Sequence, residues 1–326
     1  MSAPPPSFDD ALARSGNEKS AMNRQLLGML SVAAGVSIFT VQDVIVKEFS
    51  GLYPVHQIVV VRSLVALPLL LVATVAMQGG SLRIHRIGLH VLRGIFLYIS
   101  YVSYYLAMAQ LPLATTVALY FTVPFFVATL GIPILGERVG ARSWVAIGVG
   151  FLGVLVIVQP GAGFIEPASF LPMVSALAYS ISALLARRLG TTEGGAAMAL
   201  MVTAVYVVAG ALTALALAGA APAEDAHRSV RFLLNPWIWP SLLDLSLLSL
   251  CGVISAGGFF LLSQGYRLAV ANRAALFEYA ALPWSILWGY LFFANLPNAA
   301  MLAGAAVIMG AGVYTLRHER EEARGT

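Results

Sequence analysis

The sequence predicts an all-α integral membrane protein with ten transmembrane helices in two inverted-topology five-helix repeats and both termini in the cytoplasm. Three observations predict this fold: the composition, a series of ten long apolar runs and an internal repeat. Of the 326 residues, 59% are hydrophobic and 10% are charged, whereas about 25% of the residues in an average soluble domain are charged. Because so few polar residues cannot cover a soluble protein of this size, the composition excludes a soluble enzyme.

Ten apolar runs are each long enough to cross a bilayer as a helix. A hydrocarbon core of about 30 Å needs about 20 apolar residues in a helix that crosses it. A helix is suited to lipid because its backbone N–H and C=O groups hydrogen-bond to each other. The expected spans are residues 26–48, 55–77, 88–109, 113–135, 143–159, 169–189, 196–219, 243–266, 272–294 and 298–316. Turn residues separate them at Gly51 and Pro54, Gln78 to Gly80, Pro112, Gly140, Pro160, Gly190, Pro222 and Pro297. Only residues 220–242 form a longer loop.

The basic residues indicate the orientation of these spans. With the N-terminus inside, the cytoplasmic segments contain fifteen of the nineteen lysine and arginine residues. The opposite face contains only Lys47, Arg228 and Arg231, while Arg62 lies within a span. The positive-inside rule therefore places both termini in the cytoplasm.

The domain organisation follows from the spans. Residues 1–23 resemble a disordered cytoplasmic tail, because they contain three consecutive prolines at positions 4–6 and mixed polar residues. We expect no cleavage there, since the first span is too long for a signal peptide. The first five-helix repeat is expected over residues 24–159, the second over residues 160–318, and a second cytoplasmic tail over residues 319–326.

An internal repeat supports the division into halves. A shift of 159 residues aligns Ala114–Tyr120 and Pro124 with Arg273–Tyr279 and Pro283. The first of these helices runs inward and the second outward, so the repeat has inverted topology, unless the similarity is chance between apolar sequences. In transporters built this way, the substrate binds between the halves and the halves move to give alternating access. Both prolines are expected to kink their helices, either as gates or as static bends.

The same residues resemble a known family. The segments that carry the resemblance are Tyr105–Ala114, Pro124 and Leu135–Arg138 in the first half, and Tyr266–Ala274 and Pro283 in the second. Together they are similar to the EamA domain of the drug/metabolite transporter superfamily over roughly residues 26–316. The resemblance departs where Gly136-Glu137 ends the fourth span, because the second half has Asn295-Leu296 there. It implies transport of small organic solutes, in a family that moves amino acids, riboflavin or S-adenosylmethionine.

Ionisable residues inside a span are costly, so each is a functional candidate. Asp43 and Arg62 are both expected roughly 7 to 11 Å below the outer surface, where Arg62 would form a structural ion pair with Asp43. Asp43 would otherwise pair with Lys47 one turn on. The functional alternative is that Asp43, beside Gln42, binds a cationic group of the substrate or a proton. Asp244 lies at the start of the eighth span. There its negative charge is expected to stabilise the positive N-terminal end of the helix dipole.

Glu278 is the second acidic candidate, because its span has no basic residue after Arg273. A carboxylate facing lipid is intolerable, so Glu278 must face protein or water. We expect it to contact the substrate or to act as a protonatable coupling group. The alternative is a salt bridge to Arg273 near the inner mouth.

Aromatic and amide residues complete the candidate binding site. Tyr98, Tyr101 and Tyr105 share one helix face, either for packing or as a wall for a ring-bearing or zwitterionic solute. Tyr120 and Tyr279 correspond across the repeat. Further wall candidates are Gln264 and Trp284.

These features predict a secondary transporter for a small metabolite of riboflavin-like, S-adenosylmethionine or amino-acid type; the alternative is a proton-coupled multidrug or organic-cation exporter. No phosphate-binding GxxxxGK[ST] motif is present, so the driving force is an ion or solute gradient. The single cysteine and the scattered histidines provide neither the catalytic groups that an intramembrane enzyme would need nor the ligands of a metal site. We expect no cofactor and no nucleic acid partner. The expected partners are the substrate, a coupling proton and the lipid bilayer, with the chain acting as a monomer or homodimer.

Overall fold

The computed structural model describes residues 8–79, 82–136, 140–158, 166–295 and 298–325. Within these residues the chain is helical, with no strand. The α-helices are α1 Phe8–Phe49, α2 Val55–Met77, α3 Ile87–Met108, α4 Leu113–Tyr120, α5 Val123–Leu135, α6 Ala141–Val158, α7 Leu171–Leu189, α8 Gly195–Ala216, α9 Arg228–Leu234, α10 Leu242–Leu268, α11 Ala271–Leu276, α12 Ala281–Phe293 and α13 Ala299–Gly325. Two 3-10 turns, Pro167–Phe170 and Phe277–Ala280, precede α7 and α12.

Seven helical stretches are long and apolar enough to cross a membrane. They are Met22–Phe49, Val55–Met77, Ile87–Met108, Leu113–Leu135, Pro167–Leu189, Gly195–Ala216 and Leu242–Leu268. Trp144–Ile157 and Ala299–Ala311 are shorter apolar helices, and α11, the second turn and α12 follow one another over the ninth predicted span. Every predicted span thus coincides with helical structure, and the protein is an all-helical membrane protein.

Helices also form in three segments that were predicted to lack a span or regular structure. The predicted disordered tail over residues 1–23 is wrong from Phe8 onward, because α1 begins there; residues 1–7 lie outside the described residues. At the other end α13 continues to Gly325, through most of the predicted tail. The short helix α9 lies in the 220–242 loop.

Proline interrupts two helices at corresponding places. α4 ends at Tyr120 and α5 begins at Val123, directly before Pro124. The 3-10 turn Phe277–Ala280 separates α11 from α12, shortly before Pro283. A proline lacks the N–H that would bond the carbonyl four residues earlier. Both predicted kinks therefore occur as breaks, which expose backbone and side chains to the interior of the bundle.

The helices pack in four extensive pairs, α1 with α10, α2 with α8, α3 with α7 and α6 with α13. Small residues allow the close approach. A Cβ added to Gly28 of α1 would lie 3.0 Å from the carbonyl oxygen of Gly265 of α10. A Cβ added to Gly153 of α6 would lie 2.8 Å from the carbonyl oxygen of Gly304 of α13. These glycines bring the helix axes together around a central cavity.

Candidate functional site

A cavity with a volume of about 120 Å³ lies in the middle of the bundle. Its wall comes from α1, α3, α4, α7, α8, α10, the 3-10 turn Phe277–Ala280 and α12. Six tyrosines line it, Tyr101, Tyr104, Tyr105, Tyr120, Tyr179 and Tyr206. Among the described residues lining it, Asp43 and Glu278 are the charged ones, and both are acidic. The cavity is therefore an aromatic chamber with two acidic side chains.

Tyrosine hydroxyls hold Asp43 at one side of the cavity. The carboxylate is 6% exposed. Its Oδ1 accepts a hydrogen bond of 2.5 Å from the hydroxyl of Tyr105, and its Oδ2 accepts one of 3.1 Å from Tyr104. The Nε2 of Gln42 donates to the same Tyr105 hydroxyl over 3.0 Å. Gln42 and two neighbouring tyrosines of α3 thus fix the position of this acid.

Arg62 is fully buried beside this cluster but does not form the predicted ion pair. The ion pairs that the described residues form join histidines to glutamates, and none of them joins Arg62 to Asp43. Its Nη1 donates instead to the Oε1 of Gln42 over 3.2 Å and to the hydroxyl of Ser255. Its guanidinium lies 4.1 Å from the ring centroid of Tyr101, a cation–π contact. The amide of Gln42, the residue before Asp43, links the two groups instead, because it accepts from Arg62 and donates to the Tyr105 hydroxyl that bonds Asp43.

Lys47 also does not pair with Asp43. Its Nζ donates to the carbonyl oxygens of Met108 over 2.6 Å and Leu111 over 2.8 Å. These carbonyls lie at the C-terminal end of α3, where backbone acceptors lack helical partners and the dipole attracts a cation. The alternative pairing of Asp43 with Lys47 is therefore wrong.

Glu278 lies across the cavity in the 3-10 turn that interrupts the ninth predicted span. It is 2% exposed. Its Oε1 accepts a hydrogen bond from the hydroxyl of Tyr266, whose ring lies 6.2 Å from the ring of Tyr179. Its Oε2 is buried with no partner among the described residues. The predicted alternative of an ion pair with Arg273 is not formed, so one carboxylate oxygen is available to a ligand or proton.

Tyrosine rings connect the two acids. Tyr104, which bonds Asp43, lies 5.4 Å from Tyr120 between ring centroids. Tyr120 lies 5.7 Å from Tyr179, and Tyr179 lies 6.2 Å from Tyr266, which bonds Glu278. Edge-to-face contacts of this kind are favourable between aromatic rings. The wall between the two carboxylates is thus a continuous aromatic surface.

Six of the predicted site residues line this cavity, namely Gln42, Asp43, Tyr101, Tyr105, Tyr120 and Glu278. Three others lie elsewhere. Tyr279 is buried against Phe121 at 5.1 Å, outside the cavity wall. Gln264 accepts a hydrogen bond from the Nε of Arg267 over 3.1 Å near the end of α10, and Trp284 is 42% exposed on the outer surface of α12.

The structure adds cavity residues that the sequence reading missed. Tyr104, Tyr179 and Tyr206 line the wall. So do Ser100 of α3 and Ser175 of α7, whose hydroxyls lie 3.0 Å apart. Ser175 and Tyr179 are spaced i, i+4, so a search for polar residues on one face of the sixth span would have found them.

Arg93 is a second buried arginine that was assigned to a cytoplasmic segment. It is 4% exposed within α3. Its Nη1 donates to the carbonyl oxygen of Met198 over 3.0 Å, and its Nη2 donates to the hydroxyl of Ser263 over 3.1 Å. Arg62 and Arg93 thus bond serines two turns apart on α10, behind the cavity wall.

Comparisons with known proteins find a family model that matches the first half of the chain and relatives that match most of it. Residues 26–159 match the EamA-like transporter family. The chain is 28% identical to a riboflavin transporter of Rhizobium johnstonii, over 75% of both chains. It is 23% identical to an S-adenosylmethionine uptake transporter of Rickettsia bellii, over 74% of this chain and 76% of the relative. It is 26% identical to the pseudopaline exporter CntI of Pseudomonas aeruginosa, over 90% of this chain and 97% of the relative.

A solved crystal structure shares the fold. It has a TM-score of 0.66 with 19% sequence identity, over 92% of this chain and 99% of the other. The family model and the named relatives are transporters rather than enzymes, and the relatives are bacterial. With its apolar helices, the chain is a multi-pass protein of the bacterial inner membrane. Residues 26–159 carry an EamA domain, and the relatives named above are transporters.

Proposed function

We propose that this protein is a secondary transporter whose cargo is a small organic metabolite with a positively charged group, bound in the tyrosine-lined cavity. The observation that carries the proposal is the charge of the cavity wall, where the described charged residues are the acids Asp43 and Glu278. The proposed binding and coupling residues are these two acids with Gln42, Tyr101, Tyr105 and Tyr120. We add Tyr104 and Tyr179, which line the same cavity.

The cargo follows from the chemistry of this wall. A cation over a tyrosine face is attracted by the ring, by up to about 2 kcal/mol when water is excluded. A carboxylate with a free oxygen, as on Glu278, adds a partner for an amine or sulfonium group. S-adenosylmethionine and amino-acid types of cargo carry such a cation, and we place them before a riboflavin-like cargo, which would use the aromatic surface alone.

We further propose ten transmembrane helices in two inverted halves, residues 24–159 and 160–318. The helix pairing supports this architecture. If each span is exchanged with the one five positions later, the α1–α10 contact becomes the α7–α3 contact, while α2–α8 and α6–α13 map onto themselves. The proline breaks in the fourth and ninth spans also correspond. Substrate sites at broken helices between inverted repeats are typical of secondary transporters.

Movement of the two halves against each other would give alternating access, and Glu278 is the proposed group for coupling to a proton. The alternative function is a proton-coupled exporter of many organic cations, which the acidic and aromatic wall also supports. The two differ in selectivity. Because the cavity and its residues lie within one chain, we propose that a monomer suffices and that a homodimer would contain two independent sites.

Thermal stabilisation of the detergent-purified protein tests the cargo class. We expect S-adenosylmethionine or a cationic amino-acid type of ligand to raise the melting temperature, because a ligand at 100 times its dissociation constant adds about 2.7 kcal/mol. S-adenosylhomocysteine is the matched control, since it lacks the sulfonium charge. Equal stabilisation by many unrelated lipophilic cations would favour the multidrug exporter. Stabilisation only by neutral or anionic compounds would contradict the proposal.

A further inference from the structure

A second cavity lies at one end of the bundle, where α5, α7 and α10 end. Its volume is about 560 Å³. Four arginines line it, Arg86, Arg187, Arg188 and Arg267, together with Ile134, Leu135, Gly190 and Thr191. We call it the arginine pocket. It shares no residue with the tyrosine-lined cavity, so it needs an explanation of its own.

Two of the arginines are held in place by the surrounding structure. The Nη1 of Arg187 donates to the carbonyl oxygen of Arg267 over 2.9 Å, and the Nε of Arg267 donates to Gln264 over 3.1 Å. Gly190 permits this approach, since a Cβ there would lie 3.0 Å from the Cα of Arg267. The pocket is thus built around fixed guanidinium groups rather than lined by loose surface side chains.

No carboxylate neutralises these four charges within the part of the chain that the structure describes. The ion pairs there join His85 and His90 to Glu193, and His227 to Glu166. Four guanidinium groups around one pocket repel each other, and an anion between them would remove that repulsion. Guanidinium groups present paired N–H donors that match the oxygens of a phosphate.

We propose that the arginine pocket binds a phosphate-bearing anion, presented either by the headgroup of an anionic phospholipid or by a soluble phosphate monoester. The four arginines belong to segments that the positive-inside rule places in the cytoplasm, next to a leaflet whose anionic lipids attract basic groups. Apolar residues Ile134 and Leu135 on the same wall suit the start of a lipid chain. This site is separate from cargo binding and goes beyond the proposed function.

The test is thermal stabilisation of the full-length protein in neutral detergent during titration with phosphatidylglycerol, phosphatidylcholine, inorganic phosphate and glycerol 3-phosphate. The pocket variant is the double substitution Arg86→Asn and Arg188→Gln, because both side chains are exposed and make no described side-chain contact. Asn also tolerates the left-handed backbone of Arg86, at φ 49°. The matched control is Arg24→Gln with Arg83→Gln, which removes two exposed charges outside the pocket.

We expect phosphatidylglycerol to stabilise the wild type and the control, and to bind the pocket variant about 150-fold more weakly, from about 1.5 kcal/mol for each of two lost charge-assisted hydrogen bonds. The same pattern with glycerol 3-phosphate or phosphate would identify a soluble ligand and also support the proposal. Equal effects of phosphatidylglycerol and phosphatidylcholine, equal loss in the two double variants, or no stabilisation by any phosphate compound would overturn it.

Discussion

Glu278→Gln is expected to lower transport by about 100-fold while the protein stays folded. The amide keeps the size of the side chain and can still accept from the hydroxyl of Tyr266, so the turn Phe277–Ala280 retains its contact. It removes the negative charge and the proton-binding group from a buried position that is 2% exposed. In the proposed complex the partner of Glu278 is the cationic group of the cargo, and burying that cation without its partner costs about 3 kcal/mol, which corresponds to roughly 100-fold.

Uptake into proteoliposomes measures this effect, with the melting temperature recorded for each variant. The control is Glu224→Gln, the same change at an exposed loop residue, which should transport at the wild-type rate. If Glu278→Gln binds cargo but loses its dependence on a pH gradient, Glu278 is the coupling group. Transport at the wild-type rate would remove Glu278 from the site.

Arg62→Leu is expected to destabilise the protein by about 3 kcal/mol, well beyond the effect of Asp43→Asn. Leucine loses the bonds to Gln42 and Ser255 and the cation–π contact with Tyr101, and it leaves the buried Oε1 of Gln42 without the guanidinium that donates to it. Asparagine at position 43 keeps an acceptor for the tyrosine hydroxyls and removes a buried charge, so its cost is about 1 kcal/mol or less.

Melting temperatures of the two variants in the same detergent check whether Arg62→Leu destabilises the protein more than Asp43→Asn does. Arg62→Lys is the control that keeps the positive charge. Because Asp43 lines the cavity, we expect Asp43→Asn to weaken cargo binding despite its small thermal effect. Equal destabilisation by the two substitutions would show that Arg62 contributes no more to the fold than Asp43. Full cargo affinity in Asp43→Asn would make Asp43 a structural residue.

The sequence predicts helix positions well because lipid requires long uninterrupted apolar helices. The second predicted span, residues 55–77, coincides with α2, and Pro124 and Pro283 mark the two breaks. The family motif was also visible, since the paired tyrosines Tyr105 and Tyr266 begin matching segments. Each of these tyrosines donates to one of the two cavity acids.

The direction in which a side chain faces was harder to predict. A membrane helix is apolar toward both lipid and protein, so periodicity does not separate the two sides. Trp284 was therefore assigned to the cavity although it faces outward, where it stacks on Trp288 at 5.9 Å. Asp43 and Arg62 are predicted at similar depths below the outer membrane surface. Depth alone did not show that Gln42, and not Asp43, accepts the hydrogen bond from the guanidinium of Arg62.

A disulfide across the cavity tests the movement of the two halves most directly. Ser100 of α3 and Ser175 of α7 belong to different proposed halves, and their hydroxyls lie 3.0 Å apart, close enough for a cysteine pair to form a disulfide. The only native cysteine, Cys251, is buried and can be replaced by alanine. The singles Ser100→Cys and Ser175→Cys are the controls.

We expect oxidation of the double variant to arrest transport in proteoliposomes and reduction to restore it, while oxidised single variants transport as before. This result follows if transport requires α3 and α7 to separate around the cavity. Undiminished transport by the fully oxidised double variant would contradict alternating access between the two halves.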